Sequence, residues 1–390
     1  MRRVFVVIFL LCALLLLFVN AVMRPGVGWD TLGYIGSAYS LKTSDKNEIH
    51  RLVYGDLRDE VPAGTFGQLV GGNPRRSIVA RDPEAFNQQL PFYKIRIVYN
   101  ALILILIQAG IKAVTAANIA NALPAVLGIG GIVFTLWGRV DGFALVMALY
   151  LTAIAGAKEV SRGAGPDGLA FLCFAGFIHF YLHRKHVALL AALPVFVAVR
   201  TDLLVLALLG YAVLWLRQVD RRWIIGSGLA SLAVYFAVSR YAGSYGYAEL
   251  YRYSFITPDS AVNAYPALVH AHLGLSEFFR GLVHGIPGLI SDQYFLLYSA
   301  LVLLGAYLLA RRPGRFSLND DAAVLLAISA VYVGIHFVLF PDGAVRFLIG
   351  AYSMAVVALV LMLRESGPAG ERPGMPAKGG ASGGAKVGLP

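Results

Sequence analysis

Charged residues are scarce in this sequence. Only 14% of its 390 residues are Asp, Glu, Lys or Arg, whereas 58% are hydrophobic and the mean hydropathy is +0.68. A soluble globular domain carries about 25% charged residues, so this composition excludes one. We conclude that the chain is a polytopic membrane protein, built from apolar runs that each need about 20 residues to cross a bilayer.

Cysteine is almost absent, and both cysteines, Cys12 and Cys173, lie inside apolar runs. They are typical of small core residues, and they indicate neither a disulfide framework nor a thiolate metal site. A cleavage signal is also lacking, because no small-x-small site follows the first apolar run, Val4 to Met23. We expect this run to remain as an uncleaved first helix. No internal repeat is visible, which disfavours transporter folds built from two halves.

Positive charge is in excess, with a formal net charge of +11. The Lys and Arg residues form short clusters between apolar runs, which is the pattern that orients membrane helices and not that of a nucleic-acid surface. Arg2 and Arg3 place the N-terminus in the cytoplasm. The Gly/Pro/Lys/Ala-rich tail cannot bury a core. We therefore divide the chain into a membrane domain, residues 1–364, and a disordered cytoplasmic tail, residues 365–390.

The apolar runs predict an all-α bundle of about ten to eleven transmembrane helices with two long outer loops, at about 24–93 and 241–292. The first loop shows no sustained periodicity and is predicted to be irregular. Topologies counted from the two termini differ by one crossing, and Ile95 to Val114 is the doubtful segment. It either lies along the outer interface or re-enters, or it is an ordinary helix with one exception to the positive-inside rule. We favour the first alternative, with ten full crossings and both termini in the cytoplasm.

This topology gathers most of the charged residues near membrane depth on the outer side. These residues are Asp30, Lys94, Arg96, Asp167, Arg200, Asp202, Asp342 and Arg346. Ionisable groups at such depth are unfavourable and mark a functional site by default. Simpler explanations stay open: Arg200 and Asp202 as the polar turn of a hairpin, Asp167 as a helix start, and Arg346 as a headgroup anchor.

The second outer loop is rich in tyrosine, as in YAGSYGYAELYRYSF, which begins at Tyr241. Its rings either stack on sugars or form an interfacial aromatic belt. His270 and His272 form an HxH pair, but no further ligand is fixed nearby by spacing, so a histidine metal site is disfavoured.

The order of these motifs resembles the GT-C superfamily of integral membrane glycosyltransferases, which use lipid-phosphate-linked sugars as donors. The resemblance lies in GWDTLGY (Asp30), LPFYKIR (Lys94), PDGLAFL (Asp167), AVRTDLLVL (Arg200) and PDGAVRFLIGAY (Arg346). It covers nearly the whole membrane region. It implies a GT-C-like bundle in the bacterial inner membrane, with an active site that faces the periplasm.

The resemblance also implies roles for these residues. Asp30 is the expected general base or metal-linked carboxylate, and Lys94, Arg96, Arg200 and Arg346 are expected to hold the donor phosphate. Asp167, Asp202 and Asp342 are further candidate site residues. Many members carry paired acids in the first loop, whereas no acid adjoins Asp30 here. Whether Mg²⁺ or Mn²⁺ is required therefore stays open.

The expected partners are a polyprenyl-phosphate-linked sugar as donor and a glycan, lipid or protein as acceptor. Two other functions stay open. One is a surface-glycan polymerase or ligase, in which His270, His272 and His284 matter more than Asp30. The other is a transporter or flippase of lipid-linked sugars, which predicts charges deep in the bundle, and few are seen.

Overall fold

The structure is a computed structural model of the chain that describes residues 2–269, 272–311 and 317–365. These residues form helices and no β-strand, which confirms the predicted all-α fold. Residue His270 and nearly all of the tail predicted at 365–390 lie outside the described residues.

The helices follow one another with mostly short connections, and the longest connection, residues 252–274, separates α15 from α16. In chain order they are α1 Arg2–Met23, α2 Trp29–Tyr39, α3 Lys46–Glu60, α4 Ala63–Gly71, α5 Pro74–Arg81, α6 Pro83–Gln89, α7 Pro91–Lys94, α8 Ile97–Gln108, α9 Ala113–Leu136, α10 Gly142–Arg162, α11 Asp167–Leu182, α12 His186–Val199, α13 Leu204–Leu216, α14 Arg221–Ala242, α15 Tyr247–Tyr251, α16 Leu275–Ser291, α17 Gln293–Ala310, α18 Asp321–Leu339 and α19 Val345–Glu365.

Seven helices of the described ranges are long and apolar enough to cross a membrane: α1, α9, α10, α14, α17, α18 and α19. Helices α11, α12 and α13 are apolar but shorter, with 16, 14 and 13 residues. The chain is thus a multi-pass membrane protein by the length and composition of its helices. Helix α19 is buried along most of its length among α10, α11, α17 and α18, whereas α1 is largely exposed at the periphery.

Aspartate residues start several of these membrane helices. The side chain of the residue before the helix accepts hydrogen bonds from first-turn N–H groups that have no partner within the helix. The caps are Asp141 for α10, Asp220 for α14, Asp292 for α17 and Asp320 for α18. Each cap fixes where the chain leaves its polar turn and enters an apolar helix.

Polar contacts divide the bundle into two ends. At the first, the Asp30 end, the backbone N–H of Gly26 donates to the carbonyl of Arg162 at 2.7 Å, and Arg346 contacts Asp30 at 2.6 Å. At the other, the Arg139 end, basic residues hold the turns between helices. Arg139 donates to the carbonyl of Leu182 at 2.7 Å, and Arg184 and Arg217 both contact Asp321, at 3.1 and 2.9 Å.

Helix α8 does not run the length of the bundle. It has 12 residues, about 18 Å of helix, and it is bent by 116° from the helical stretch Pro83–Lys94 before it. Arg96, just before α8, donates to the hydroxyl of Thr201 at 3.2 Å at the Asp30 end. The next helix, α9, also starts at that end, because Asn118 reaches the carbonyl of Arg162. The start of α8 and the start of α9 are therefore both tied to the Asp30 end of the bundle.

The first long stretch, predicted to be irregular at 24–93, is instead a set of helices, α2 to α7. Proline residues stand at the first helical position of α5, α6 and α7, where the missing N–H has no intrahelical role. Asn73 and Asp82 cap α5 and α6. The prediction was wrong because these helices are too short to show a clear period.

The second long stretch packs on the first. Tyr253 donates to Oε1 of Gln89 at 2.7 Å, and Tyr265 donates to Oδ2 of Asp82 at 2.5 Å. Tyr245 likewise donates to the carbonyl of Gln88 at 3.0 Å. These tyrosine hydroxyl groups form hydrogen bonds that hold the two stretches together. Neither interpretation of the tyrosines, sugar stacking or an interfacial aromatic belt, had predicted this role.

Candidate functional site

Asp30 is positioned by hydrogen bonds between the backbone just after α1 and the end of α10. Besides the Gly26 contact with the carbonyl of Arg162, the Nε of Arg162 donates to the carbonyl of Arg24 at 2.9 Å. The chain then turns into α2, with Asp30 in its first turn, where the helix dipole favours a carboxylate. The residues after the first membrane helix are thus held against the end of α10.

Glycine residues let α2 approach the helices that carry Tyr93 and Phe86. A Cβ at Gly33 would lie 2.3 Å from the ring of Tyr93, and one at Gly36 would lie 2.7 Å from Phe86. This close approach allows the hydroxyl of Tyr93 to donate to Oδ1 of Asp30 at 3.1 Å. The other carboxylate oxygen accepts from Nη1 of Arg346 at 2.6 Å. Arg346 is in the first turn of α19, so this contact joins α2, which follows the first membrane helix, to the last membrane helix of the described residues.

A second group of charges lies deeper. The side chain of Arg200 is 2% exposed, and its Nη1 donates to Asp167 at 2.7 Å. Its Nε and Nη2 donate to the two oxygens of Asp202, at 2.9 and 2.7 Å. Arg96 lies 3.9 Å from Asp202. Buried charges need this kind of pairing to be tolerated.

Exposure separates the two groups of charges. The side chains of Arg346 and Asp30 are 44% and 34% exposed, whereas those of Arg200 and Asp167 are 2% and 9% exposed. The outer pair is open to a ligand, whereas Arg200 is buried and its guanidinium is already paired with two carboxylates. This geometry argues against the predicted phosphate-binding role of Arg200 and favours a role in holding helix ends together.

Two buried asparagines of α9 shape the loop that precedes Asp167. The side-chain amide of Asn121 donates to the carbonyls of Val160 and Gly163, both at 2.7 Å, and its oxygen accepts from the N–H of Gly168 at 2.6 Å. Asn118, one turn earlier, donates to the carbonyl of Arg162 at 3.1 Å. Together they satisfy backbone groups of the loop between α10 and α11 and fix its path beside Asp30.

Replacing Asn121 by Leu is expected to destabilise the protein by about 3 kcal/mol or more. The carbonyl of Gly163 and the N–H of Gly168 lose the Asn121 side chain as their partner. The carbonyl of Val160 keeps only the N–H of Gly163. Each lost partner in a buried place is worth about 1–3 kcal/mol. Thermal unfolding in detergent measures the effect. The control is Asn20→Leu in α1, because Asn20 makes no side-chain hydrogen bond among the described residues. Equal melting temperatures for the two variants would contradict the role given to Asn121.

A cavity of about 360 Å³ opens beside these groups. Its walls include Trp29, Asp30, Glu159, Asp167 and Arg346. The structure thus brings together residues that are up to 316 positions apart in the sequence. A second cavity, of about 470 Å³, lies between α16 and the turn before α19 and shares Ala344 with the first.

Tyr34 packs at the centre of this region. Its ring meets those of Tyr93 and Tyr99 edge-on, each with 5.1 Å between centroids. Burial raises the pKa of Tyr34 above its usual value, and the charges of Arg96 and Asp30 act on it in opposite directions. The Tyr34 hydroxyl therefore stays protonated at neutral pH.

The other predicted site residues lie apart from the first cavity. Lys94 follows Tyr93 directly and is half-buried, and its side chain makes no hydrogen bond or ion pair with a described residue, but it does not line the cavity. Asp342 lines the second cavity with His284 and accepts from the N–H of Ala344 at 2.9 Å. His272 is exposed.

No group of three metal-ligating side chains is close enough to hold a metal ion in the part of the chain that the structure describes. The two oxygens of Asp30, the carboxylate proposed as a metal ligand, are bonded to Tyr93 and Arg346. The arrangement is a carboxylate and a guanidinium in contact, both partly exposed beside the cavity.

Comparisons with known proteins add no assignment: no protein-family model, no curated protein and no solved structure matches this chain. The site therefore rests on its geometry. Sequence reasoning missed Tyr93, Asn118 and Asn121. A signal was present for the asparagines, because two amides at i, i+3 in an apolar helix require buried partners.

Proposed function

We propose that the protein is a membrane glycosyltransferase that moves a sugar from a polyprenyl-phosphate-linked donor to a glycan, lipid or protein acceptor. The observation that carries this proposal is the exposed Asp30–Arg346 pair in a cavity at one end of the membrane helices. A carboxylate can take the proton of an acceptor hydroxyl, and a guanidinium can stabilise a departing phosphate. The resemblance in motif order to the GT-C superfamily supports the same conclusion.

The proposed topology puts this site at the outer face of a bacterial inner membrane. The three shorter helices α11, α12 and α13 join the seven longer ones as crossings, and α8 does not cross. Ten crossings place both termini on the same side. The Arg139 end carries Arg139, Arg184 and Arg217 in its turns. By the positive-inside rule that end faces the cytoplasm, and the Asp30 end faces the periplasm.

Short helices fit this topology if protein covers their ends, or if the bilayer is thinner there. The layer formed by α2 to α7 lies over the Asp30 end through its contacts with α8 and α9. A lipid-linked sugar would keep its chain in the bilayer and its phosphate at the depth of Arg346.

In the proposed reaction, Asp30 accepts the proton of the acceptor hydroxyl. At the same time, the oxygen of that hydroxyl forms a bond to the anomeric carbon of the donor sugar. The bond between that carbon and the phosphate oxygen breaks, and its electron pair leaves with the polyprenyl phosphate. Arg346 stabilises the charge that develops on this leaving group. Because the two side chains are in contact, the pair must open when the sugar enters between them. Lys94, without an ion-pair partner, is a second candidate cation for the phosphate.

Arg346→Gln is expected to lower the rate of transfer by about 100-fold or more, because one preorganised donor to a developing negative charge is worth about that factor. The substrate is the lipid-linked sugar isolated from membranes of a strain that lacks the chain. The rate is the release of polyprenyl phosphate by the purified variant.

The matched control is Arg240→Gln, an exposed arginine at the end of α14. It should leave the rate unchanged. A wild-type rate for Arg346→Gln would contradict the proposed role, and an equal loss in the control would show that any change of charge on this surface suffices.

A further inference from the structure

Arg75 is a buried arginine without an ionic partner. Asn73 caps α5 by accepting from the N–H of Arg76 at 2.8 Å, and Pro74 takes the first helical position. These two residues fix the direction in which the helix starts. Arg75 comes next and is only 6% exposed, although it belongs to a residue type that is almost never buried unless paired.

Aromatic rings surround the guanidinium of Arg75. Its central carbon lies 4.6 Å from the centre of the Tyr253 ring and 5.5 Å from that of Trp29. Arg75 makes no hydrogen bond or ion pair with any described residue, and its Nε is fully buried. Cation–π attraction offsets part of the cost of burying the charge, but the buried Nε donor stays unsatisfied and the other N–H groups have no protein acceptor among the described residues. Arg200, the other deeply buried arginine of this region, contacts two carboxylates.

Trp29 connects this arginine to the candidate site. The same side chain that contacts Arg75 lines the cavity of Asp30, and it also lies 5.4 Å from the guanidinium carbon of Arg76. Tyr253 lies close enough to Arg75 and Asp30 to be affected by both charges. Burial raises the pKa of Tyr253, the charge of Arg75 lowers it, and the charge of Asp30 raises it. Two guanidinium groups thus stand behind the cavity wall, on the side of the second long stretch.

We propose that Arg75, with Arg76 beside it, binds a phosphate group, and that this is the phosphate of the lipid-linked donor. The second half of this inference rests on the proposed function. A phosphate would supply the hydrogen-bond acceptors that the guanidinium of Arg75 lacks, and arginine binds phosphate with two parallel hydrogen bonds. It would also let Arg346 keep its contact with Asp30 until the sugar enters.

The probes are a short-chain polyprenyl phosphate, the neutral polyprenol of the same length, and inorganic phosphate, each added to the purified full chain in nanodiscs. The variant is Arg75→Met, which retains apolar bulk between the rings. The control is Arg58→Met, because Arg58 also lies over an aromatic ring, that of Phe66 at 5.6 Å, but is exposed. Dissociation constants and melting temperatures are measured for each protein.

Arg75→Met is expected to bind the polyprenyl phosphate about 10- to 100-fold more weakly than wild type, with no change for the neutral polyprenol. Without ligand it should melt at the wild-type temperature or above, since it removes an unpaired buried charge. Inorganic phosphate should compete with the lipid if the phosphate alone is recognised; if it does not, the lipid chain is part of the site. Arg58→Met should behave as wild type.

A lower melting temperature of Arg75→Met with unchanged affinity for the polyprenyl phosphate would overturn the proposal and make Arg75 a structural residue. The same measurements distinguish a failure of the phosphate site from a failure of the proposed transferase function. Binding that depends on Arg75 without any sugar transfer would contradict the transferase and keep the phosphate site. Transfer by Arg75→Met with the wild-type KM would contradict the phosphate site and keep the transferase.

Discussion

Replacing Asp30 by Asn is expected to abolish sugar transfer and to leave the protein folded and inserted. Asn has the size of Asp and still offers an oxygen to the hydroxyl of Tyr93. It cannot take a proton from an acceptor hydroxyl and it no longer pairs with the charge of Arg346. Loss of a general base lowers rates by about 10²–10⁴-fold. The measurement is the release of polyprenyl phosphate from the donor by purified wild type and variant.

The control for Asp30→Asn is Asp59→Asn, because Asp59 is an exposed acid of α3 with no side-chain contact among the described residues. It should retain the full rate. Equal melting temperatures of wild type and Asp30→Asn in detergent would show that the loss is chemical. Full activity of Asp30→Asn would mean that another group acts as the base.

Replacing Arg200 by Met should have the largest effect on stability. The change leaves Asp167 and Asp202 without the guanidinium that neutralises both, at a place where Asp167 is 7% exposed. Removing one partner of a buried ion pair destabilises proteins by about 3–5 kcal/mol. We expect a large drop in melting temperature and in the yield of folded protein, measured in detergent. The cause is the uncompensated charge and not the lost volume.

A triple variant separates these causes. Arg200→Met combined with Asp167→Asn and Asp202→Asn removes the three charges together, and it should recover much of the stability that Arg200→Met loses. If Arg200→Met alone were as stable as wild type, Arg200 would be free to bind an anion, and its predicted role in phosphate binding would return.

The charge pattern of the sequence was informative about which residues share one end of the bundle. Arg2 and Arg3 put Asp30 on the outer side, a count of basic turns from the C-terminus put Arg346 there too, and the structure places the two residues in contact. It also favoured an incomplete crossing at Ile95 to Val114, where the structure has the short helix α8. These expectations rest on helix length and alternation of sides, which a sequence states directly.

The burial of each arginine and its ion-pair partners could not be predicted from the sequence. Arg200, Arg346 and Arg75 are all arginines near a helix start or end, yet one is paired twice, one is half-exposed with a single carboxylate, and one has no partner. Only the tertiary contacts decide between these states. The helices of residues 24–93 were missed for a different reason: they are too short to show a clear hydrophobic period, although a cap followed by proline marks the start of α5 and α6.

The most direct test of the account is the lipid-linked sugar content of membranes from a strain that lacks this chain. The account predicts that a polyprenyl-phosphate-linked sugar accumulates there, that the wild-type chain returns it to the basal level, and that Asp30→Asn, inserted at the same level, does not. If no such lipid accumulates, or if Asp30→Asn clears it as wild type does, the proposed transfer at Asp30 is wrong.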